Sequence, residues 1–203
     1  MEFASEMVIK ATITGLRIIQ IPITLYKDGR SRPPHLRSWR DGWRHLRFML
    51  MYSPRWLFLI PGTMFLFFGI IFFIILECGP IRIGRVVFDT NTLLVFAMAI
   101  LLGFQLIYFS IFTKAFAISE GLLPDDPTFR RLCKFITLEV GVFLGLGCAL
   151  LGFGLIGYVV FDWWKVGFGS LPSPVSLRII IPGITMAILG VQIVFSSFFL
   201  SIL

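Results

Sequence analysis

Charged residues are scarce in this sequence. So are cysteine and histidine, which form disulfide bonds and bind metals in small proteins. Only 14% of the 203 residues are Asp, Glu, Lys or Arg, against about 25% in a soluble domain. The three cysteines (Cys78, Cys133 and Cys148) are an odd, scattered set without a CxxC pair, and the two histidines cannot complete a metal site with them. These shortages exclude a disordered tail, a disulfide-stapled module and an ordinary water-soluble globule.

Hydrophobic residues are abundant instead. They make up 57% of the chain, with 23 phenylalanines and a mean hydropathy of +0.91. A membrane-spanning helix needs about 20 apolar residues. Four stretches meet that length, at residues 56–76, 92–112, 137–160 and 179–201. The fold class predicted is therefore an all-α membrane protein with four transmembrane helices.

The basic residues predict the orientation of these helices. Ten of the 18 Lys and Arg precede the first span, and four lie in the second connection. The first and third connections hold two each. Because short cytoplasmic segments are enriched in Lys and Arg, we expect an integral protein of the plasma or cytoplasmic membrane with both termini in the cytoplasm.

Small and polar residues within the spans predict helix contacts. Gly141, Gly145 and Ala149 recur at intervals of four in the third span, a spacing that lets helix backbones approach closely. Packing inside the bundle is the leading interpretation; homodimerisation or a lipid-lined groove is the alternative. Gln105 and Gln192 lie near mid-membrane, where an interhelical hydrogen bond is expected and a substrate contact is the alternative.

The first 34 residues do not follow the membrane pattern. Residues 3–14 predict an amphipathic helix that Gly15 ends. Residues 16–26 are rich in β-branched side chains, and Pro22 favours an edge strand. A helix and a strand alone cannot bury enough surface to be stable. We therefore interpret them as a short helix-strand remnant of a larger α/β domain.

An amphipathic interface helix is predicted in residues 35–55, beginning at Ser38 with Asp41 three residues on. The aromatic and aliphatic residues share one face and the arginines take the adjoining one, a pattern typical of a helix lying in the membrane interface. The residues expected there are Trp39, Trp43, Arg44 and Arg47, with Leu46 and Leu50 completing the apolar face and Arg40 the basic one. For Arg44, Arg47 and Arg55, a plain interfacial anchor that follows the positive-inside rule is the leading interpretation.

The turn before this helix has a composition suited to phosphate. Gly29, Arg30, Ser31 and Arg32 combine two guanidinium groups, a hydroxyl and backbone N–H groups around a glycine. Arginine offers paired donors that match phosphate oxygens. A lipid phosphate held just above the interface is therefore a candidate ligand, although short basic turns are common.

Several of these segments together resemble a known family. MEFASEMVIKA, the I-P-x-x-L-Y strand end, GRSRPPHLRSWRDGWRHLRFML and SPRWLFLIPG are similar to the C-terminal half of family 2 glycosyltransferases acting on polyisoprenyl phosphates, the dolichol-phosphate mannose and glucose synthase-like enzymes. The similarity is strong over residues 1–62. Beyond them it is generic, resting on the number and apolar nature of the spans.

The resemblance implies roles for specific residues. Arg30, Ser31 and Arg32 match a basic loop that contacts the acceptor phosphate and the donor pyrophosphate, and Arg37 and Arg40 support it. Glu6 matches an acidic position whose role is less defined. The family transfers a sugar from a nucleotide sugar to dolichyl or undecaprenyl phosphate, with a divalent metal in a separate nucleotide-sugar domain.

This sequence departs from the family in having no Asp-x-Asp motif. We expect no catalytic and no metal-binding residues in this chain, with Mg²⁺ or Mn²⁺ belonging to the missing domain, and a truncated or split product that does not catalyse transfer alone. Residues 1–34 would be the remnant with the acceptor loop, 35–55 the interface helix and 56–203 the membrane domain.

Three functions remain open at this point. The first is the membrane half of a polyisoprenyl-phosphate glycosyltransferase, and the second is a non-catalytic anchor or accessory subunit that docks a soluble glycosyltransferase. A small transporter is disfavoured because no ionisable residue lies mid-membrane. The expected partners are membrane lipid, polyisoprenyl phosphate and a separate nucleotide-sugar-binding chain, with a homo-oligomer as an option and no nucleic acid.

Overall fold

A computed structural model of the protein describes residues 7–8, 10–12, 14–24, 26, 29, 38–51, 53–121, 123, 126–129, 131, 137–170 and 173–202. The side chains of 38, 45, 47–51, 173 and 174 fall outside that description. The chain separates into two compact units, Met1–Pro54 and Arg55–Leu203.

The described start of the first unit is a helical segment that ends at Gly15, as the sequence predicts. Gly15 has a φ of +70°. Its N–H donates to the Thr12 carbonyl at 3.2 Å, and the Leu16 N–H donates to the Ala11 carbonyl at 2.9 Å. This pair of bonds is a Schellman motif, in which glycine takes the left-handed position at low cost.

The predicted edge strand is not formed in the described part of the chain. Residues 16–24 are neither helical nor paired with another strand. Ile19, Ile21 and Ile23 are each more than 75% exposed. A strand needs a neighbour to receive its backbone hydrogen bonds and cover its apolar face, and the described residues supply no such neighbour here.

The first long helix, α1 (Ser38–Met51), begins where the sequence predicts. It stops three residues before Pro54, whose ring disfavours helical backbone in the residue before it. Trp39, Trp43 and Leu46 are spaced by four and three residues, which places them on one helix face, and all three are exposed.

Four long apolar helices form the second unit, and they confirm the four predicted spans. Arg55–Leu59 is one π-helical turn that leads into the first of them. The helices are α2 (Ile60–Glu77), α3 (Thr90–Ser119), α4 (Leu138–Lys165) and α5 (Ser173–Ile202). α3 continues beyond its predicted end at 112. A helix of its 30 residues is about 45 Å long, more than the roughly 30 Å of a bilayer core.

A β-hairpin connects α2 to α3, and sequence analysis did not predict it. β1 (Ile81–Ile83) and β2 (Val86–Phe88) pair antiparallel, with Ile81 opposite Phe88 and Ile83 opposite Val86. Gly84 opens the two-residue turn with a φ of +60°, and glycine at this position is typical of a type II′ hairpin turn. The small hairpin is the only paired sheet in the described part of the chain.

The helices pack in the spatial order α2, α3, α5, α4. The tightest approach is between α4 and α5, where glycines face one another. A Cβ added at Gly145 would lie 2.7 Å from the Gly190 carbonyl oxygen, and one at Gly152 would meet the Ala187 backbone. The predicted face of Gly141, Gly145 and Ala149 is thus used inside the bundle.

A second glycine contact joins α2 to α3. A Cβ at Gly103 would lie 2.5 Å from the Leu66 backbone nitrogen, and one at Gly62 would lie 2.9 Å from Leu106 Cβ. The backbones therefore touch at two places in the bundle. Close approach of this kind replaces the hydrophobic driving force, which is absent between helices surrounded by lipid.

Candidate functional site

Helix α1 carries the part of the predicted site that the structure describes. Arg40 and Arg44 each follow directly after a tryptophan of the apolar face, and both arginines are exposed. Trp39 is 90% exposed and Trp43 58%. The Arg40 Nε lies 3.9 Å from Asp41 Oδ1, a longer separation than in a strong ion pair.

Most of the predicted phosphate ligands lie outside the described residues. These are Arg30, Ser31, Arg32 and Arg37, and Glu6 belongs with them. The Arg47 side chain is also outside the description, although its backbone is helical. Gly29 is described and exposed. Of the five candidate ligands, the structure thus places Arg40 alone.

Arg178 joins the ends of three helices in a polar clamp. In the sequence this arginine was counted only as a cation of the third connection. Arg178 lies in the second turn of α5, where it is four-fifths buried. Its Nη1 donates to the Leu76 and Glu77 carbonyls at 2.6 and 3.0 Å, and its Nη2 pairs with Asp89 Oδ1 at 2.6 Å. We refer to this side of the bundle as the Arg178 end and to the opposite side as the Arg55 end.

Buried apolar residues lie close in sequence to the residues of the clamp. Leu76, Leu93, Ala97 and Ile181 form one cluster, each no more than 6% exposed. The Leu76 and Glu77 carbonyls belong to the last turn of α2 and have no partner within their own helix. Arg178 donates to both of them from α5, in addition to the hydrogen bond that the Leu76 carbonyl accepts from the Gly79 N–H at 3.2 Å.

At the Arg55 end a second charge contact orders the connection after α3. The Lys114 Nζ lies 2.6 Å from Asp126 Oδ2 and 4.8 Å from the Phe129 ring centroid. Asp126 Oδ1 also accepts from the N–H groups of Thr128 and Phe129 at 2.9 and 3.3 Å. These hydrogen bonds, that from Lys114 first, lower the pKa of Asp126 below its usual value.

A groove of about 220 Å³ opens between α3 and α5 in the half of the bundle nearer the Arg55 end. We call it the α3/α5 groove. Aromatic side chains such as Tyr108, Phe112 and Phe195 line it together with Gln105 and Gln192. The interhelical hydrogen bond predicted for these glutamines is not formed with any other described residue. Gln105 is exposed, and the buried Oε1 of Gln192 has no hydrogen-bond partner.

Metal-ligating side chains do not cluster in the described residues: no group of three or more His, Cys, Asp or Glu could hold a metal ion there. The described part of the predicted site offers electrostatic chemistry. It consists of exposed guanidinium groups beside tryptophans on α1, next in sequence to a basic turn.

Comparison with known proteins relates this chain to a family. Residues 111–203 match the family 2 glycosyltransferase C-terminal transmembrane region. The chain is also 33% identical over 202 residues to the low-salt glycan biosynthesis hexosyltransferase Agl6 of Haloferax volcanii, which covers 98% of this chain. The chain carries the C-terminal membrane region of a family 2 glycosyltransferase.

This glycosyltransferase membrane region spans 47% of the length of that relative. The family match extends from the second half of α3 through α4 and α5, where sequence analysis found only generic apolar character. The four apolar helices and the matched transmembrane region make the protein an integral membrane protein. No solved structure matches the chain.

Proposed function

We propose that this chain is the membrane half of an enzyme that transfers a sugar from a nucleotide sugar to a polyisoprenyl phosphate, dolichyl or undecaprenyl. The observation that carries the proposal is the 33% identity to a hexosyltransferase over 202 residues, which includes α1 and the basic turn before it. In this account the turn of Arg30, Ser31 and Arg32, with Arg37 and Arg40, holds the acceptor phosphate.

The physical support lies in α1. Its exposed tryptophans suit the region of lipid headgroups, where amphipathic aromatic rings are enriched. Cations near an anionic membrane surface gain about 1 kcal/mol each. Arg40 and Arg44 are placed beside those tryptophans, so that a phosphate attached to a membrane-anchored chain meets them at headgroup depth.

In the reaction that we propose, the acceptor-binding residues have two tasks: to position the lipid phosphate and to neutralise its charge. An oxygen of the lipid phosphate attacks the anomeric carbon of the sugar, the bond from that carbon to the nucleotide's diphosphate breaks, and the nucleotide departs with the electron pair. A phosphate is already a nucleophile. The main contribution of the protein to catalysis is therefore to hold the phosphate in line with the bond that breaks and to neutralise charge.

Donor binding belongs, in this proposal, to a nucleotide-sugar-binding domain outside these 203 residues, together with Mg²⁺ or Mn²⁺. The sequence has no Asp-x-Asp motif. We also propose that both termini face the cytoplasm, because 14 of the 18 Lys and Arg then lie on the cytoplasmic side. The acceptor phosphate and a cytoplasmic nucleotide sugar would then meet at the same membrane surface.

A transfer assay tests the proposal. The chain, together with a nucleotide-sugar-binding domain, is placed in vesicles with undecaprenyl phosphate and labelled nucleotide hexoses, and the lipid-linked label is counted. Arg30→Ala with Arg32→Ala is expected to reduce transfer at least tenfold, about 1 kcal/mol for each cation. The matched control is Arg82→Ala with Arg85→Ala, which removes two exposed cations of the β-hairpin.

Unchanged transfer in the Arg30→Ala, Arg32→Ala protein would overturn the acceptor role and favour a non-catalytic anchor that docks a soluble glycosyltransferase. Equal loss in the hairpin control would show that total positive charge, rather than the basic turn, is what matters.

A further inference from the structure

The β-hairpin that connects α2 to α3 has one apolar face. Alternate side chains of a strand lie on the same side of a sheet, and directly paired residues share a side. The pairing of β1 with β2 therefore places four apolar side chains on one face, namely those of Ile81, Ile83, Val86 and Phe88. Arg82 and Val87 pair with each other and lie on the opposite face.

The base of the apolar face packs on the bundle. Ile81 and Phe88 are partly buried against the cluster at the Arg178 end, to which α2 contributes Leu76 and α3 contributes Leu93. Only three residues separate α2 from β1, and one residue separates β2 from α3. These short connections and the packed base hold the hairpin at the ends of the two helices.

The tip of the same face has no cover in the described part of the chain. Ile83 is 65% exposed and Val86 is 55% exposed. They lie two residues further along the strands than Ile81 and Phe88, which is about 7 Å. Because moving apolar surface out of water is favourable, this paired extension of a packed face favours an apolar medium next to the helix ends.

The bilayer is the apolar medium nearest to this tip. The protein is an integral membrane protein, and α2 and α3 are two of its spanning helices, so the hairpin between them lies where hydrocarbon gives way to headgroups. Aromatic residues at the same end of α4 are typical of this level. Trp164 is 61% exposed, and the Trp163 ring meets the Phe168 ring edge-on, with 4.9 Å between the centroids.

We propose that the hairpin tip inserts into the lipid headgroup region at the Arg178 end. In this arrangement Ile83 and Val86 contact the upper acyl chains. Arg82 and Val87, on the opposite face, remain in contact with water. The contact with lipid holds α2 and α3 at a fixed depth, at the end where Arg178 joins them. This inference rests on the membrane location of the protein and would hold in a chain that transfers no sugar.

Nitroxide labels on the hairpin test the proposal. All native cysteines of the full chain are replaced by serine, and four single-cysteine proteins are labelled in phosphatidylcholine vesicles: Ile83→Cys, Val86→Cys, Arg82→Cys and Val87→Cys. Relaxation by oxygen, which concentrates in lipid, is compared with relaxation by a nickel chelate, which stays in water on both sides of the membrane. We expect oxygen to be the stronger relaxant for the labels at Ile83 and Val86, and the chelate for the other two labels.

Two charged variants and a reference label separate the lipid contact from a general effect. With the label at Val86, Ile83→Asp places a charge on the apolar face and should move that label from oxygen access to chelate access. Val87→Asp places the same charge on the opposite face and should leave the label in lipid. A label at Leu150, which is 70% exposed within the spanning helix α4, should respond to oxygen in every protein and so reports correct insertion.

Two results would overturn the proposal. Chelate access at Ile83 and Val86 equal to that at Arg82 and Val87 would mean that the whole hairpin stands in water. Labels at Ile83 and Val86 that neither reagent reaches would assign the apolar face to another protein surface instead of lipid.

Discussion

Arg178 of α5 pairs with Asp89, the residue before α3, at 2.6 Å between Nη2 and Oδ1. Asp89 occupies the N-cap position of α3 but makes no capping hydrogen bond there. Its carboxylate is directed to Arg178 instead, while the other guanidinium nitrogen caps the end of α2. One side chain thus joins the ends of three helices at the Arg178 end.

Removing Arg178 should destabilise the membrane bundle. Arg178→Met leaves two helix-end carbonyls and the Asp89 carboxylate without this donor, and charged hydrogen bonds contribute about 1.5–3 kcal/mol. We expect a loss of about 2–3 kcal/mol in the free energy of unfolding, measured by denaturant titration in detergent micelles. Arg82→Met, in the exposed hairpin strand β1, should change it by less than about 0.5 kcal/mol.

A double-mutant cycle isolates the ion pair from the carbonyl contacts. Asp89→Asn removes only the charge partner, so it should cost less than Arg178→Met, and the two effects should not add. Additive losses would mean that the two side chains act separately.

Glycine contacts between helices give a second prediction with a control in the same helix. Gly145→Ala places a methyl group against the α5 backbone, at 2.7 Å from the Gly190 carbonyl oxygen, and should cost about 1–3 kcal/mol by overpacking. Gly147→Ala meets nothing within 4 Å and should be neutral or stabilising, because alanine is the better helix former by up to about 1 kcal/mol. Denaturant titration of both proteins distinguishes them, and equal destabilisation would contradict the packing.

Much of this fold could be predicted from the sequence because the bilayer imposes simple rules. A run of about 20 apolar residues has few alternatives to a spanning helix. Gly15 is a strong signal for the end of a helix, and Ser38 is a strong signal for the start of one. The Gly141, Gly145 and Ala149 face was predictable for the same reason, since its spacing is that of one helix face.

What could not be predicted depends on contacts between distant segments. Arg178 looks like a loop cation until α5 is seen to begin at Ser173, and its partners lie about a hundred residues earlier. The hairpin of β1 and β2 is short, and Gly84 was its one local signal. For Gln105 and Gln192, sequence reasoning placed both within the spans, but the rotation of α3 and α5 leaves them in one groove without a bond between them.

The Lys114–Asp126 contact predicts a pH response in the connection after α3. The pKa of Asp126 is lowered, chiefly by the hydrogen bond from Lys114. The contact therefore contributes fully above the unfolded pKa of about 3.9 and is lost as the pH falls through the lower folded value. Carbon-13 NMR of the carboxyl group should give a midpoint below that of free Asp.

A lysine variant tests the cause of that shift. Lys114→Met should move the Asp126 midpoint upward. Lys165→Met removes the lysine that pairs with Asp162 at 3.0 Å and should leave it unmoved. An Asp126 midpoint that does not respond to Lys114→Met would show that the ion pair does not form in solution.

The proposed orientation predicts where an exposed thiol can be labelled. Cys78 follows the end of α2 and is exposed, so with both termini in the cytoplasm it faces the outside. A membrane-impermeant maleimide should label intact cells that express the protein, and Cys78→Ser should abolish that labelling. Labelling of Cys78 only after the cells are lysed would reverse the orientation.

The central claim is that the basic turn and α1 hold a lipid phosphate, and a binding titration tests it most directly. The purified chain in nanodiscs is titrated with undecaprenyl phosphate and with undecaprenol, which lacks the phosphate, while the tryptophan fluorescence of the chain is followed. We predict saturable binding of the phosphate only. It should weaken about 30-fold in Arg30→Gln with Arg32→Gln, at about 1 kcal/mol per arginine, and remain unchanged in Arg82→Gln with Arg85→Gln. Equal binding of the alcohol and the phosphate, or equal binding by the two double variants, would contradict the account.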